Sequence, residues 1–123
     1  MVPGADNERF TVAVQHVDGA VVIELAGELD HDTAQPLRDA LDAAVAHGGR
    51  LLVDLAGLGF CDSTGLNVLL HGRLAALETG GSVELAGLQG SVARMFRITG
   101  ADGIFPVHAD VAQALNGTNG RPA

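Results

Sequence analysis

The segment Asp62-Ser63-Thr64-Gly65 sets two hydroxyls between a carboxylate and a glycine, a combination suited either to capping a helix or to accepting a phosphoryl group. It follows the apolar run Leu55 to Cys61 and precedes Leu66, Leu69, Leu70, Leu74 and Leu77, whose spacing of i, i+3, i+4, i+8 and i+11 predicts a helix. Asp62 or Ser63 then falls at the N-cap, where backbone N–H groups lack intrahelical partners. A plain cap is one reading of the segment. The other is an exposed, modifiable hydroxyl whose phosphate the helix dipole and free N–H groups would tolerate. A second polar segment, Gly27 to Thr33, gathers Asp30, His31 and Asp32 ahead of another helical pattern.

Catalytic alternatives fit these residues poorly. A serine-hydrolase elbow needs Gly-x-Ser-x-Gly, whereas Cys61 stands at the first glycine position and Thr64-Gly65 breaks the spacing. The contiguous Asp-Thr-Gly or Asp-Ser-Gly of an aspartic protease is interrupted by one residue. His31 between two aspartates reads as a solvated turn, and His16, His31, His47, His71 and His108 show no metal-ligand spacing. No Gly-x-Gly-x-x-Gly and no Gly-Lys-Thr/Ser loop is present. Gly87-Leu88-Gln89-Gly90 reads as a turn rather than a phosphate cradle. The residues therefore point to no enzyme, cofactor or metal.

Composition narrows the partners. The chain has 123 residues, fifteen Asp plus Glu, seven Arg, no Lys and a formal charge of -8, a poor match to nucleic acid, which is bound through clustered basic side chains. Its length suits one domain, and 47% hydrophobic residues supply a core. Four Phe and no Tyr or Trp leave that core to Leu, Val and Ala. The sole cysteine, Cys61, can form no internal disulfide and reads as a buried structural thiol. The start of the chain carries no secretory pattern and no apolar run approaches the ~20 residues of a membrane span, so a cytoplasmic location is expected.

The elements that must position these residues follow from periodicity. Residues 1–8 read as a loose leader. Phe10 to His16 alternate as a strand, Asp18-Gly19 signals a hairpin, and Val21 to Leu25 is the return strand. A helix follows, capped by Asp32 or Thr33, with Pro36 in its first turn, Leu37, Leu41 and Val45 on one face and Gly48-Gly49 at its end. Leu51 to Leu55 reads as a strand buried on both faces, followed by a glycine-containing bend before Cys61. Beyond the leucine helix, Ser82 to Leu85 is a strand and Val92 to Thr99 a helix stopped by Gly100. Ile104 to Val107 is an edge strand weakened by Pro106, Val111 to Leu115 a last helix, and residues 116–123 a disordered tail. The expected fold class is α/β: a single domain over residues 9–115, with a mixed, mostly parallel sheet of four to five strands and about four helices. In such a sheet, loops at the carboxyl ends of strands gather function, which singles out residues 27–33 and 59–65.

Gly27-Glu28-Leu29-Asp30, Leu52-Val53-Asp54-Leu55, Phe60-Cys61-Asp62-Ser63-Thr64-Gly65-Leu66, Gly80 to Leu85 and Val92 to Gly100 together resemble the anti-sigma-factor antagonist family, whose fold is the STAS domain. The resemblance spans roughly residues 10 to 115, and Asp-Ser-Thr-Gly-Leu is its specific part. It implies a non-enzymatic switch that binds an anti-sigma factor/serine kinase when unphosphorylated, releasing the sigma factor, and lets go when that kinase phosphorylates Ser63. Thr64 is the alternative acceptor, and a serine phosphatase would reset the cycle. Asp30 and Asp62 match the family's acidic positions, with roles in contacting the kinase and holding the loop; with Ser63, Thr64 and Gly65 they form the implied partner-binding set. A STAS scaffold or sensory module whose Ser63 is never phosphorylated is the other reading, and a small hydrolase or phosphotransferase using Ser63 a third.

Overall fold

A computed structural model describes residues 9–17 and 19–119, so the expected leader, Asp18 and residues 120–123 lie outside the described residues. Strands β1 (Phe10–Val17) and β2 (Ala20–Leu29) form the antiparallel hairpin, with Phe10 opposite Gly27 and Val17 opposite Ala20. Then come α1 (Gln35–His47), β3 (Arg50–Cys61), α2 (Ser63–Glu78), β4 (Ser82–Ala86) and α3 (Gly90–Thr99). A 3-10 turn (Ala101–Gly103), β5 (Val107–His108) and α4 (Val111–Asn119) complete the described chain. The five strands lie in sequence order, and every pairing beyond the hairpin is parallel. This is the single α/β fold expected from the sequence.

The alternating burial of the strands divides the core in two. Val21, Ile23, Leu51, Val53, Val83 and Leu85 face the larger cluster, to which α1, α2 and α3 contribute Leu37, Leu41, Leu69 and Phe96. Val22, Leu52 and Ala86 face the other way and meet Ala114, Val111 and Leu115 of α4. Leu51, Leu52 and Val53 are therefore all fully buried, as a strand covered on both faces requires. On the α4 face, Glu84 receives Arg50 Nε at 2.7 Å, Arg50 Nη2 at 2.8 Å and His108 Nε2 at 2.8 Å. The second guanidinium nitrogen also donates to the Ala114 carbonyl at 3.0 Å, tying α4 to the sheet. Desolvation pushes the Glu84 carboxyl up, but the Arg50 and His108 bonds outweigh it and hold Glu84 below its ordinary value.

Several expected details are corrected. β3 does not stop at Leu55: it continues through Gly57 and Gly59 to Cys61, because β2 also extends to Leu29 and pairs with it. The supposed turn from Gly27 is thus strand as far as Leu29. The N-cap of α1 is Ala34, with no side-chain cap bond, rather than Asp32 or Thr33. β5 lies at Val107–His108, one residue past Pro106, whose carbonyl accepts from Leu85 N–H at 2.9 Å. α4 runs four residues past the expected end at Leu115. The leucine helix is present, but Leu74 and Leu77 are 54% and 50% exposed. Its buried face is Gly65, Leu66, Val68, Leu69, Gly72 and Ala76.

Candidate functional site

Parallel pairing of β2 with β3 places the two polar loops side by side. Leu29 stands opposite Cys61, and Asp62 N–H donates to the Leu29 carbonyl at 3.1 Å, so the Asp30 loop and the Ser63 helix end leave the sheet together. Asp62 is the N-cap of α2. Its Oδ1 accepts from Thr64 N–H at 2.9 Å and Gly65 N–H at 3.1 Å, and its carbonyl accepts the first helical bond, from Leu66. The sequence reading left open whether Asp62 or Ser63 caps; the geometry assigns the cap to Asp62 and makes Ser63 the first residue of the helix.

Ser63 is exposed and its hydroxyl makes no hydrogen bond to the described residues, whereas Thr64 is half-buried. The helix end is less open to an anion than expected from the sequence, because two of its N–H groups already serve the Asp62 carboxylate. Gly65 permits the arrangement. A Cβ there would lie 2.6 Å from Leu29 Cγ, 2.7 Å from Leu29 Cδ2 and 3.0 Å from Cys61 Sγ. Only a glycine lets α2 start this close to the strand ends.

Asp30 organises its own loop. Its Oδ1 accepts from Asp32 N–H at 2.9 Å and from Thr33 N–H and Oγ1 at 3.2 Å each, while Oδ2 pairs with Arg9. Thr33 Oγ1 in turn donates to the Glu28 carbonyl at 2.9 Å and accepts from Asp30 N–H at 2.8 Å. Desolvation raises the Asp30 carboxyl, but the Asp32 N–H, the Arg9 guanidinium and Thr33 outweigh it and hold it below its ordinary value. Holding the loop is thus what the geometry of Asp30 accomplishes. Arg9 escaped the sequence reading, and Thr33, expected there as a helix cap, instead ties down the Asp30 loop, a role its three-residue spacing from Asp30 signals.

Cys61 is buried, with Sγ 3.5 Å from the Asp62 carbonyl, and burial followed by the nearby Asp62 charge pushes its thiol up to about 12. Such a thiol is protonated at neutral pH and a poor nucleophile. His31 pairs only with Asp32, at 3.4 Å on the surface, and no cluster of three metal-ligating side chains occurs among the described residues. Gly87 to Gln89 is a short loop leading into α3: Gln89 Nε2 donates to the Ala56 carbonyl and Ser91 Oγ to the Gly59 carbonyl at 3.3 Å, closing it onto β3. A groove of about 270 Å³ between α1 and α2, rimmed by Arg38, Asp42 and His71, includes no residue of either polar loop. No helix of the described residues is long and apolar enough to cross a membrane.

The family model described as Mlab, STAS domain, matches residues 12–107. The chain belongs to the STAS-domain family. Among relatives of this STAS protein, the anti-sigma-F factor antagonist RsfA of Mycobacterium tuberculosis is 33% identical over 115 residues, covering 91% of this chain and 90% of that one. The anti-sigma-B factor antagonist of Bacillus subtilis is 32% identical over 101 residues, covering 82% and 93%. A solved anti-sigma factor antagonist from Mycobacterium paratuberculosis superposes with a TM-score of 0.81 at 28% identity, over 90% of this chain and 95% of that one. The fold is that of this family.

Proposed function

We propose that this STAS protein is an anti-anti-sigma factor. Unphosphorylated, it binds an anti-sigma factor that is also a serine kinase, through Asp30, Asp62, Ser63, Thr64 and Gly65, and thereby frees the sigma factor. The kinase then transfers the γ-phosphoryl group of ATP to Ser63: the Oγ–P bond forms, the bond to ADP breaks, and the hydroxyl proton leaves. The phosphoprotein dissociates, and a serine phosphatase hydrolyses the ester to restore it. The cytoplasm is where such a cycle would run. The domain itself supplies no catalysis.

One observation carries this reading: Ser63 is an exposed hydroxyl, without a hydrogen bond among the described residues, at the first position of a helix whose cap is filled by its neighbour's carboxylate. A serine needed only as the cap would be using its own oxygen. Half-burial of Thr64 favours Ser63 over Thr64 as acceptor. Phosphorylation adds about -1.5 to -2 charges at pH 7. That charge would join Asp62 and the neighbouring Asp30–Asp32 loop on the face that must lose water to dock. Several kcal/mol are at stake when a charge is buried unpaired.

Pull-downs with wild-type, Ser63→Ala, Thr64→Ala and Ser63→Asp baits test the proposal. A kinase-type partner kept by wild type and both alanine variants and depleted by the aspartate supports it. Equal retention on all four baits favours a scaffold or sensory module in which Ser63 is merely the first helical residue.

A further inference from the structure

The two edges of the sheet are built differently. At one, β5 is two residues long and follows Pro106, which leaves little to pair with. At the other, β1 runs for eight residues beside β2 without a break in register and has no strand on its outer side among the described residues. Natural proteins blunt such edges with a charge, a proline or a bulge. β1, Phe-Thr-Val-Ala-Val-Gln-His-Val, has no Asp, Glu, Lys, Arg or Pro, in a chain whose formal charge is -8.

The hairpin fixes which backbone groups face outward. Val17 pairs with Ala20 across a two-residue connection, as the hydrogen-bonded pair that closes such a turn, and the Arg9 carbonyl accepts from Glu28 N–H at 2.7 Å. Odd-numbered residues therefore bond to β2. Phe10, Val12, Val14 and His16 turn their N–H and C=O groups away from it. The side chains of these four lie on the α1 side of the sheet, where Val14 is 46% exposed and borders a mainly apolar hollow of about 110 Å³ between β1 and α1.

We propose that β1 is the pairing edge for a second copy of this chain, joining two sheets antiparallel about a two-fold axis at Ala13. That register sets Val12 opposite Val14 and Phe10 opposite His16 of the second copy, and the reverse. All four outward-facing residues are used, and their four pairs exchange about eight hydrogen bonds. A second copy fits better than a foreign strand because the edge is complementary to itself. Every outward residue meets another, no charge opposes a charge, and the valines of both copies cover the hollow. Two acidic chains repel each other over most of their surface, and this uncharged strand is where that repulsion is least. β2 separates β1 from β3, the strand that leads to Ser63, so this inference does not rest on the functional reading above.

Sedimentation equilibrium of the purified chain over a wide concentration range, with amide hydrogen exchange read by NMR, tests it on wild type, Val14→Pro and Ala13→Lys. Val14→Pro removes one outward N–H from each copy and leaves the bonds to β2 in place. Ala13→Lys spares the fold, since residue 13 is exposed and lies directly opposite Glu24 in the hairpin, yet it sets two lysines face to face on the axis. A strand-edge contact is small, so wild type is expected to dimerise with a Kd of about 10–100 µM. The Val12, Val14 and His16 amides should exchange more slowly as concentration rises. Val14→Pro should weaken the dimer about tenfold or more, and Ala13→Lys severalfold with an unchanged melting temperature. A chain that stays monomeric well above that Kd overturns the proposal; protection of the same amides in such a monomer assigns the edge to the chain's own flanking residues. A dimer unmoved by Ala13→Lys and by folded Val14→Pro also overturns it, by placing the contact elsewhere.

Discussion

Replacing Gly65 by alanine probes the joint between the helix carrying Ser63 and the strands beneath it. The new Cβ would sit 2.6 Å from Leu29 Cγ, about 0.8 Å short of the 3.4 Å at which ordinary contact begins. Leu29 has no exposed surface, and its Cγ is the branch point of the side chain, so rotating the terminal methyls cannot clear the clash. Cys61 Sγ at 3.0 Å blocks escape to the other side. Overpacking of this kind costs about 1–3 kcal/mol, partly offset by the ~1 kcal/mol helix advantage of alanine over glycine. The net is a loss of up to roughly 2 kcal/mol, or a drop of up to about 1 M in the urea midpoint for a domain of this size. Gly72→Ala is the control: there the nearest atom is a terminal methyl, Leu41 Cδ1 at 3.1 Å, which need give by only a few tenths of an ångström, and the helix gain should leave stability near wild type. A Gly65→Ala protein as stable as Gly72→Ala would refute the claim that the helix start is set by close packing on Leu29 and Cys61.

Other expectations follow from the same geometry. Asp62→Ala removes the acceptor of two backbone N–H bonds and should cost about 1 kcal/mol, seen as a fall of several degrees in Tm, whereas Asp62→Asn should keep most of the stability. Cys61, with its thiol pushed up to about 12, should resist alkylation in the native protein at pH 8 and react once urea unfolds it; rapid native labelling would contradict its burial. Glu84 is held below its ordinary value of 4.5, so its contribution is present at neutral pH and is lost as pH falls through the lowered folded value. Melting temperatures measured from pH 7 to 3 should accordingly decline at the acid end, and Glu84→Gln should lessen that decline while lowering Tm at pH 7.

Much of this architecture was legible because each element advertises itself locally. The strand at Phe10 to His16, the both-face apolar run Leu51 to Leu55 and the stop at Gly100 all appear, although Val14 and His16 on the expected inner face of the first strand are exposed. The larger misses depend on a partner distant in sequence. Gly57 and Gly59 look like a bend, but β2 alongside supplies the hydrogen bonds that keep β3 extended to Cys61. The leucines of α2 look like one core stripe, yet the buried face is built partly from Gly65 and Gly72, which permit close approach and carry no apolar signal. Around the site, the Asp-Ser-Thr-Gly segment was conspicuous. The consumption of the helix N–H groups by Asp62 and of the Asp30 carboxylate by its own loop was not, since side-chain bonds of this kind follow from loop geometry.

The central claim is that one phosphate at Ser63 decides partner binding, and direct titration tests it. The chain would be phosphorylated by its cognate kinase with ATP, the modified residue mapped by mass spectrometry, and Kd for the kinase measured for both forms. The account predicts a single phosphate on Ser63 and a Kd raised by about two to three orders of magnitude, the scale of a few kcal/mol of uncompensated charge burial. The same Kd for both forms, or phosphate carried elsewhere, would contradict it.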